Sequence, residues 1–413
     1  MQEAWIIDSC RTPRGIGKIG KGALTDIHPQ QVGAAVLKAL ADRNGIDTAD
    51  VEDIIWGNGQ QAGKQGNDLG RMTALDAGYD PRASGVTIHR FCGSSLTAVS
   101  LAAAKIMAGM EDLNVAGGAE LMSYRKLLPR DPAVPALPDA GNRRLRARHP
   151  QTSQGLCADA IATLEGIDRE VVDELAYESQ RRAARAIAEG RFDRSLIPVY
   201  HEDGRLALDH DEFPRPQTTR EGLAALTPSF VGTADTAFDA DGTTFGDLIR
   251  QVYPDLKFNH VHHAGNSSGV VDGAGALLLA SPDYARKHGL VPRARMVAMA
   301  ELGDSPTLML NAPVPATRKV LAKAGLTLND IDLWEVNEAF AVVPEKFIRD
   351  LSLDREKVNV NGGAIALGHP IGATGVMLVG TLLDELERQD LKRGLVTMCA
   401  AGGMAPAVII ERM

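Results

Sequence analysis

The sequence of this chain repeats itself over a long distance. Residues 45–52 and residues 325–332 share a glycine, an apolar residue and then an acidic, apolar, acidic triplet. Residues 113–118 and 397–403 both follow a helical pattern, and both are predicted to end in a glycine turn. Because the two pairs occur in the same order, the chain is predicted to contain two similar halves.

Strand-like and helical segments alternate in both halves, which is typical of an α/β domain. We expect an N-terminal half at residues 1–121, to which residues 256–289 return, and a C-terminal half at residues 290–413. The intervening residues 122–255 are rich in proline, arginine and acidic loop sequence. Only residues 169–189 have a clear helical pattern there. These features predict an inserted loop domain.

Composition narrows the class of protein. The net charge of −9 argues against nucleic acid as the main partner. No stretch approaches the roughly 18 consecutive apolar residues of a membrane span, and the first residues do not form a signal peptide, so we expect a cytoplasmic protein. The four cysteines have no CxxC spacing and predict neither a disulfide framework nor a zinc site: Cys10, Cys92, Cys157 and Cys399.

Cys92 lies where one local pattern changes to another. Residues 85–88 are extended and β-branched, and apolar residues then recur at helical spacing from Leu96 to Met107. The thiol is predicted to lie at a helix N-terminus, where unpaired N–H groups and the helix dipole favour the nucleophilic thiolate. The same local pattern also fits a small buried cysteine.

Three segments of the C-terminal half carry groups suited to catalysis. Residues 335–340 place Asn337 and two carboxylates at the end of a predicted strand, where active-site groups of α/β folds gather. His369 lies in the glycine-rich loop of residues 361–375, and a histidine there can titrate near neutral pH. Cys399 also follows a predicted strand. Each segment alone also fits a structural role.

Together these segments resemble the thiolase family. The segments around Cys92, Asn337 (Asn-Glu-Ala-Phe), His369 (Gly-His-Pro) and Cys399 (Cys-x-x-Gly-Gly) occur in the family's order and at similar distances. Weaker similarities extend the match to nearly the whole chain, at residues 11–13, 117–123 and 264–269. The resemblance implies a duplicated α/β fold, with two βαβαβαββ halves in five layers (α-β-α-β-α) and a loop domain for coenzyme A (CoA).

The resemblance also implies a role for each residue. Cys92 would attack an acyl carbonyl and carry the acyl group, and His369 would take the thiol proton. Cys399 would exchange a proton with the α-carbon of acetyl-CoA or with the CoA thiol. His369 and a water held by Asn337 would stabilise the enolate, whereas backbone N–H groups of Cys92 and Ala401 would bind the acyl carbonyl oxygen.

The implied enzyme is a CoA-dependent acyltransferase, a 3-ketoacyl-CoA thiolase or acetyl-CoA acetyltransferase. It would cleave 3-ketoacyl-CoA with CoA, or condense acetyl-CoA with acyl-CoA, by a ping-pong mechanism. CoA would be a substrate, with no tightly bound cofactor. By resemblance, Ser268 would contact pantetheine and Arg215 would lie near the nucleotide of CoA. A homodimer or homotetramer is expected, and the resemblance allows a partner subunit in fatty-acid oxidation.

Three features depart from the family pattern. Gln154 stands where many thiolases have methionine in the acyl pocket, and Ala401 stands where many have glycine. Residues 231–262 form an extra insert, expected to reshape the acyl pocket or a subunit contact. The insert region contains His260, His262 and His263, but adjacent histidines point in different directions in a strand, so no metal site is predicted.

Two other functions of the chain, and the role of one arginine cluster, stay open at this stage. A decarboxylating ketoacyl synthase shares the fold ancestry and the cysteine nucleophile, but usually has a second histidine in place of Cys399. A non-catalytic lipid carrier or scaffold would have no need for Cys92, His369 and Cys399 together. The arginine cluster either forms a solvated surface or receives phosphates: Arg143, Arg144, Arg146 and Arg148.

Overall fold

The structure is a computed structural model that describes residues 2–125, 127–129, 137–239 and 241–413. Within these ranges the strands are β1 (Trp5–Arg11), β2 (Gly15–Ile16), β3 (Asp53–Gly57), β4 (Ser84–Ile88), β5 (Leu113–Leu121), β6 (Val199–Tyr200), β7 (Leu206–Leu208), β8 (Val271–Ala280), β9 (Ala294–Gly303), β10 (Leu333–Val336), β11 (Arg393–Thr397) and β12 (Met404–Arg412). Part of the proline-rich stretch, including Pro132 and Pro135, lies outside the described residues.

Fifteen α-helices occur in the described ranges. They are α1 (Pro29–Asn44), α2 (Leu69–Asp76), α3 (Ser94–Met107), α4 (Met122–Arg125), α5 (Arg143–Arg148), α6 (Gln154–Leu164), α7 (Arg169–Ala188), α8 (Arg220–Ala224), α9 (Val231–Ala234), α10 (Phe245–Arg250), α11 (Pro282–His288), α12 (Pro313–Ala324), α13 (Val342–Leu351), α14 (Ala364–Leu367) and α15 (Thr374–Arg388).

The sheet topology confirms the duplicated α/β fold. Among the described residues, one mixed sheet runs in the order β10-β11-β12-β9-β1-β8-β5-β3-β4, with β2 beside β8. Read outward from the centre, β1-β8-β5-β3 in one half corresponds to β9-β12-β11-β10 in the other. The halves meet where β1 and β9 pair antiparallel at Trp5 with Arg295 and Ile6 with Ala294.

The first sequence echo has the same structure in both halves. Gly45 ends α1 and Gly325 ends α12, each with a left-handed backbone (φ 58° and 66°) that glycine adopts without strain. A short 3₁₀ turn follows in each half, at Thr48–Asp50 and at Leu328–Asp330. The repeated glycine therefore marks the same helix-to-strand connection twice.

The second echo differs from the prediction of two glycine turns. Gly402 and Gly403 do form a turn between β11 and β12, whereas Gly117 and Gly118 lie inside β5. A Cβ atom on Gly117 would lie 2.2 Å from the Trp56 ring. These two strand glycines provide close packing, and a glycine pair alone does not distinguish packing from a turn.

The core is layered around two central helices. Helices α3 and α15 pack together, and their buried faces share one hydrophobic cluster with strands of both halves. Separate clusters lie on the outer side of each half, one including α1 and the other including α12 and α13. This arrangement is the five-layered α-β-α-β-α architecture, and it places the N-termini of α3 and α15 beside each other.

The region between the halves is irregular but well packed against them. Helix α7 confirms the predicted helix, whereas α6 was not anticipated from the sequence. The arginine cluster lies on and around α5, where Arg146 pairs with Asp139 at 2.8 Å and covers the Phe238 ring. The other three arginines of the cluster are exposed. The boundaries of this loop domain stay a prediction.

Residues 231–262, the predicted extra insert, dock onto α6. The buried carboxylate of Asp159 on α6 accepts hydrogen bonds from the Nδ1 atoms of His260 (2.7 Å) and His262 (2.8 Å) and from the backbone N–H of Val261 (3.1 Å). Thr152, just before α6, donates to the backbone carbonyl of Phe245 at 2.9 Å. The insert is thereby held against one helix by buried polar contacts.

Candidate active site

Cys92 occupies a sharp turn between β4 and α3. Phe91 has φ 48°, a left-handed conformation that is uncommon for an aromatic residue, and Cys92 follows it directly. The N–H of Gly93 donates to the carbonyl of Arg90 at 3.0 Å and closes the turn. The thiol is therefore presented just before the first residue of α3, as predicted.

The environment of Cys92 differs from the expectation of a stabilised thiolate. Its side chain is buried, and burial raises the pKa of the thiol to about 11. A hydrogen bond from the Gln154 side chain lowers that pKa but is outweighed by burial. The thiol is consequently protonated at neutral pH, and it needs a base.

The proton on His369 can be placed from its hydrogen bonds. Its Nδ1 lies 2.6 Å from Oγ1 of Thr374, and this Oγ1 lies 3.0 Å from the carbonyl oxygen of Pro370. The hydroxyl donates its single hydrogen to Pro370, so it accepts from the Nδ1–H of His369. The lone pair of Nε2 is then left free to accept a proton.

The pKa of His369 lies well below neutral pH. Burial and then the positive charge of Arg14 lower the pKa of His369 to about 3. The glycine-rich loop is packed between the two halves, and only 5% of His369 is exposed. The imidazole is therefore neutral across the physiological range.

Asn337 faces His369. It follows β10 directly, and its backbone N–H donates to the carbonyl of Thr397 at the end of β11 (3.2 Å). Its Nδ2 lies 3.5 Å from Nε2 of His369. Its Oδ1 is enclosed and has no hydrogen-bond partner within the described part of the chain. The amide is thus positioned beside the lone pair of the histidine.

Cys399, the second candidate thiol, is buried. It follows β11, and the next turn is closed by hydrogen bonds between the backbones of Ala400 and Met404 (2.7 and 3.1 Å). Burial, and then the negative charge of a Cys92 thiolate, raise the pKa of Cys399. The thiol of Cys399 is therefore protonated at neutral pH, like that of Cys92.

Glu338 supports this site from behind. Its carboxylate accepts from the Ser179 hydroxyl on α7 (2.7 Å), from Nδ2 of Asn359 (2.9 Å) and from the backbone N–H of Ile365 (3.1 Å). A Cβ on Gly363 would lie 2.3 Å from the carboxyl carbon, so glycine is required there. The sequence indicates the carboxylate, but its three distant partners come together only in the folded chain.

Glu120 at the end of β5 has a comparable role that sequence analysis did not find. Its Oε2 accepts from the backbone N–H groups of Gly59 (2.6 Å) and Gly372 (3.1 Å). Burial raises the pKa of Glu120 to about 7, against the effect of these hydrogen bonds. Since Gly372 belongs to the loop that carries His369, Glu120 stabilises the position of that loop.

The two predicted CoA-binding residues lie near a separate opening. The backbone N–H of Arg215 donates to Oε1 of Gln180 (2.9 Å), and its guanidinium lies 5.5 Å from the Phe213 ring centre. Arg215 and Gly265 line a cleft of about 270 Å³. The half-buried Ser268 lies three residues further on, and its backbone N–H donates to the carbonyl of Ala339 (3.0 Å).

A cleft of about 540 Å³ between α7 and α13 is separate from the two thiols. Its lining carries several charged side chains and reaches Glu338 and Asn359, but none of the four predicted catalytic residues. Its position indicates that it is not the entrance to the thiols.

The remaining histidines and cysteines have structural partners. His260 and His262 contact Asp159, whereas His263 contacts Asp173 (2.8 Å). Within the described ranges, no group of three or more His, Cys, Asp and Glu residues is arranged to hold a metal ion. The buried thiols of Cys10 and Cys157 donate to the carbonyls of Val36 (3.2 Å) and Thr307 (3.3 Å).

Comparisons with known proteins agree over the whole chain. The thiolase N-terminal domain model matches residues 4–247, and the thiolase C-terminal domain model matches residues 290–412. The 3-ketoacyl-CoA thiolases of Shewanella denitrificans and Aeromonas hydrophila are 39% and 38% identical over 420 aligned residues, covering 100% of both chains in each case.

Solved structures give the same result. The Bacillus anthracis acetyl-CoA acetyltransferase has a TM-score of 0.84 and 32% identity, covering 100% of this chain and 99% of that one. Human mitochondrial 3-ketoacyl-CoA thiolase in complex with CoA has a TM-score of 0.82 and 32% identity, covering 100% and 98%.

The duplicated α/β fold, matched over both halves, defines the class of protein as an α/β enzyme. The chain belongs to the thiolase family of enzymes. Among the described residues, no helix is both long and apolar enough to cross a membrane.

Proposed function

We propose that this enzyme cleaves 3-ketoacyl-CoA with CoA, or runs the reverse condensation, through an acyl group carried on Cys92. The observation that carries the proposal is the neutral His369, whose Nε2 lone pair is free because Nδ1–H is bound to Thr374. Two buried thiols and a proton acceptor in one site suit a reaction with two proton transfers.

The first step activates Cys92. Its thiol proton moves from Sγ to Nε2 of His369 and creates a thiolate and an imidazolium. Burial opposes each charge separately, since it raises the thiol pKa and lowers the histidine pKa. The attraction between the two new charges is strong in the same low-dielectric site and offsets part of that cost.

In the cleavage direction, the Cys92 thiolate attacks the C3 carbonyl, and the C2–C3 bond breaks. Its electron pair forms the enolate of acetyl-CoA, which takes a proton at carbon from the Cys399 thiol. The thiol of a new CoA then gives its proton to Cys399 and attacks the acyl group. Cys92 leaves as a thiolate and recovers its proton from His369, so all atoms and charges balance.

Donors around the site support the two oxyanions. His369 and a water held by Asn337 stabilise the enolate oxygen, and the backbone N–H groups of Cys92 and Ala401 stabilise the acyl carbonyl oxygen. The amide of Asn337 faces His369 at 3.5 Å, which supports this role. Replacement of glycine by Ala401 leaves a backbone N–H available.

CoA enters along the cleft beside Arg215 in this proposal, with Ser268 near the pantetheine arm. The guanidinium of Arg215 is exposed and suits a phosphate group. The similar human mitochondrial 3-ketoacyl-CoA thiolase was solved in complex with CoA, which supports a CoA site in this chain. CoA acts as a substrate, fatty-acid oxidation is the proposed context and the cytoplasm the proposed location.

A homodimer or homotetramer is part of the proposal, and β4 is the proposed contact. β4 ends the order of the large sheet, so one of its edges has no neighbouring strand within the described ranges. Val86 at its centre is 40% exposed. An exposed β-branched edge strand next to the Cys92 turn suits pairing with a second copy.

The direct test compares Cys92→Ser with wild type in the cleavage of 3-ketoacyl-CoA by CoA. We expect the variant to lose at least about a thousandfold in rate and to show no acyl adduct by mass spectrometry. Cys10→Ser is the matched control, because a hydroxyl can still donate to the carbonyl of Val36. Substantial cleavage by Cys92→Ser would contradict the proposal.

A second variant separates the two thiols. Cys399→Ala should still be acylated at Cys92 by acyl-CoA, because that half-reaction needs only Cys92 and His369. It should fail to form or break the carbon–carbon bond, because no thiol then exchanges the α-carbon proton. A variant that cannot be acylated would require the two roles to be reassigned.

A further inference from the structure

The N-terminal end of α6 contacts the nucleophile. Gln154 is the first residue of α6, and its side chain hydrogen-bonds to the Cys92 thiol. None of the catalytic steps above uses this amide. Because an acyl group would be joined to the same sulfur atom, the Gln154 amide is beside the place where the acyl chain begins.

Two further polar atoms near this end of α6 have no partner. Oε1 of Gln151 and Oγ of Ser153 are enclosed, and neither has a hydrogen-bond partner within the described part of the chain. Gln151 is only 6% exposed, and its Oε1 lies 4.0 Å from the Cβ position of Gly402, in the turn after Cys399. Ser153 is the N-cap of α6, yet its side chain makes no capping hydrogen bond.

These atoms cannot easily turn away to solvent. Helix α6 is held by the contacts of Asp159 with the insert. The Thr152 hydroxyl donates a hydrogen bond to the carbonyl of Phe245. The Phe230 ring packs so closely on Gly155 that a Cβ on Gly155 would lie 2.2 Å from the ring. Buried polar atoms held in this way are costly unless a bound group or an ordered water supplies the partners.

Acylation of Cys92 removes the partner of Gln154. A thioester sulfur has no S–H to donate and is a weak acceptor, so the Gln154 amide then needs another partner. An alkyl chain leaves the amide unpaired, whereas a hydroxyl group accepts from Gln154 and donates to the free Oε1 of Gln151. The Ser153 hydroxyl at the same end of α6 can serve as donor or acceptor.

We infer that the acyl group carried by Cys92 bears a hydroxyl group within a few carbons of the thioester, bound by Gln154, Gln151 and Ser153. This inference rests on the proposed function and names its substrate class. The enzyme then prefers hydroxylated acyl chains to alkyl ones, because an acyl chain without the hydroxyl group leaves buried polar groups of the enzyme unpaired.

The test compares kcat/KM for three six-carbon substrates: 5-hydroxy-3-oxohexanoyl-CoA, 3-oxohexanoyl-CoA, and the CoA thioester of 3-oxohexanedioic acid with a terminal carboxylate. Wild type should prefer the hydroxylated substrate to the alkyl one by about tenfold, which corresponds to about 1.4 kcal/mol. Gln154→Met should abolish or reverse that ratio, and Gln151→Leu should reduce it.

The kcat/KM ratio between the hydroxylated and the alkyl substrate does not depend on how much of a variant folds, because a loss of folded enzyme lowers the rates with both substrates equally. Gln251→Met, an exposed position at the end of α10, is the matched control and should leave the ratio unchanged. In addition, Gln154→Met should shift the alkylation of Cys92 by iodoacetamide to higher pH. The hydrogen bond from Gln154 lowers the thiol pKa, so its loss should raise that pKa.

The outcomes separate this inference from the proposed function. A wild type that prefers the alkyl or the carboxylate substrate would overturn the hydroxyl assignment, as would a ratio that survives Gln154→Met. Failure to cleave any of the three substrates would instead overturn the proposed function.

Discussion

Nδ1 of His369 lies 2.6 Å from Oγ1 of Thr374, and this single contact determines which nitrogen of the imidazole can act as a base. The threonine hydroxyl donates its only hydrogen to the carbonyl of Pro370 at 3.0 Å. The histidine must donate at Nδ1, so Nε2 faces Asn337 with its lone pair. Thr374 therefore positions the proton without contacting substrate.

Removal of this hydroxyl should impair the base. In Thr374→Val the Nδ1–H loses its acceptor, and the tautomer with the proton on Nε2 becomes competitive. We expect kcat/KM to fall by about 10- to 100-fold, a part of the ~10²–10⁴-fold contribution of a general base. Thr374→Ser should restore most activity, whereas Thr381→Val, a buried position on the same helix, should have little effect.

Stability should depend on pH through His369. The unfolded histidine takes up a proton below pH 6.5, whereas the folded one does so only near pH 3, so acid favours the unfolded state. From pH 7.0 to pH 5.0 this site should cost about 2 kcal/mol of unfolding free energy. Urea denaturation of wild type and His369→Asn at both pH values checks this. Between pH 7.0 and pH 5.0 the variant should lose about 2 kcal/mol less unfolding free energy than wild type. Equal losses in the two proteins would contradict the prediction.

Glu338→Gln should weaken the contact between α7 and the catalytic loops. The amide retains one acceptor oxygen, but its NH₂ group then faces a donor, either the Ile365 N–H or the Asn359 amide. We expect a loss of about 2 kcal/mol in unfolding free energy and a lower kcat, because Asn337 is the preceding residue. Glu356→Gln, with a side chain 74% exposed, is the control and should change neither quantity appreciably.

Asp159→Asn should loosen the insert. The carboxylate joins two histidines and backbone N–H groups in a buried place, so the variant should lose about 3 kcal/mol of stability. The kcat/KM ratio between the hydroxylated and alkyl substrates should also move toward unity, because α6 is no longer held. The exposed Asp255→Asn change in the same insert is the comparison, and an equal effect there would rule out a role for the Asp159 contacts.

Val86→Lys should disrupt an oligomer built on β4. A lysine at the centre of an edge strand opposes pairing with a second copy. Sedimentation should show a smaller species than wild type, whereas Val291→Lys, at a position 77% exposed elsewhere on the surface, should retain the wild-type size. A variant of unchanged size would exclude β4 as the contact.

Much of the fold could be predicted from local patterns. Local patterns located β4, α3 and α7, and the repeated glycines at 45 and 325 marked equivalent helix ends. The exception was the pair Gly117 and Gly118, because the reason for those glycines is the Trp56 ring and the loop at Gly372, both far away in sequence. Sequence patterns predict structure that neighbouring residues determine, and they do not show contacts between distant segments.

The sequence by itself determined the duplicated halves and the residues that carry the chemistry, because residue type and spacing are enough to identify a thiol, a histidine and an amide in family order. Tertiary structure alone decided their protonation. Burial raises the pKa of Cys92 and lowers that of His369, opposite to what the helix N-terminus and the glycine loop suggested. Desolvation depends on every element packed around a group, and Gln154, Thr374 and Glu120 acquire their roles only when distant segments meet.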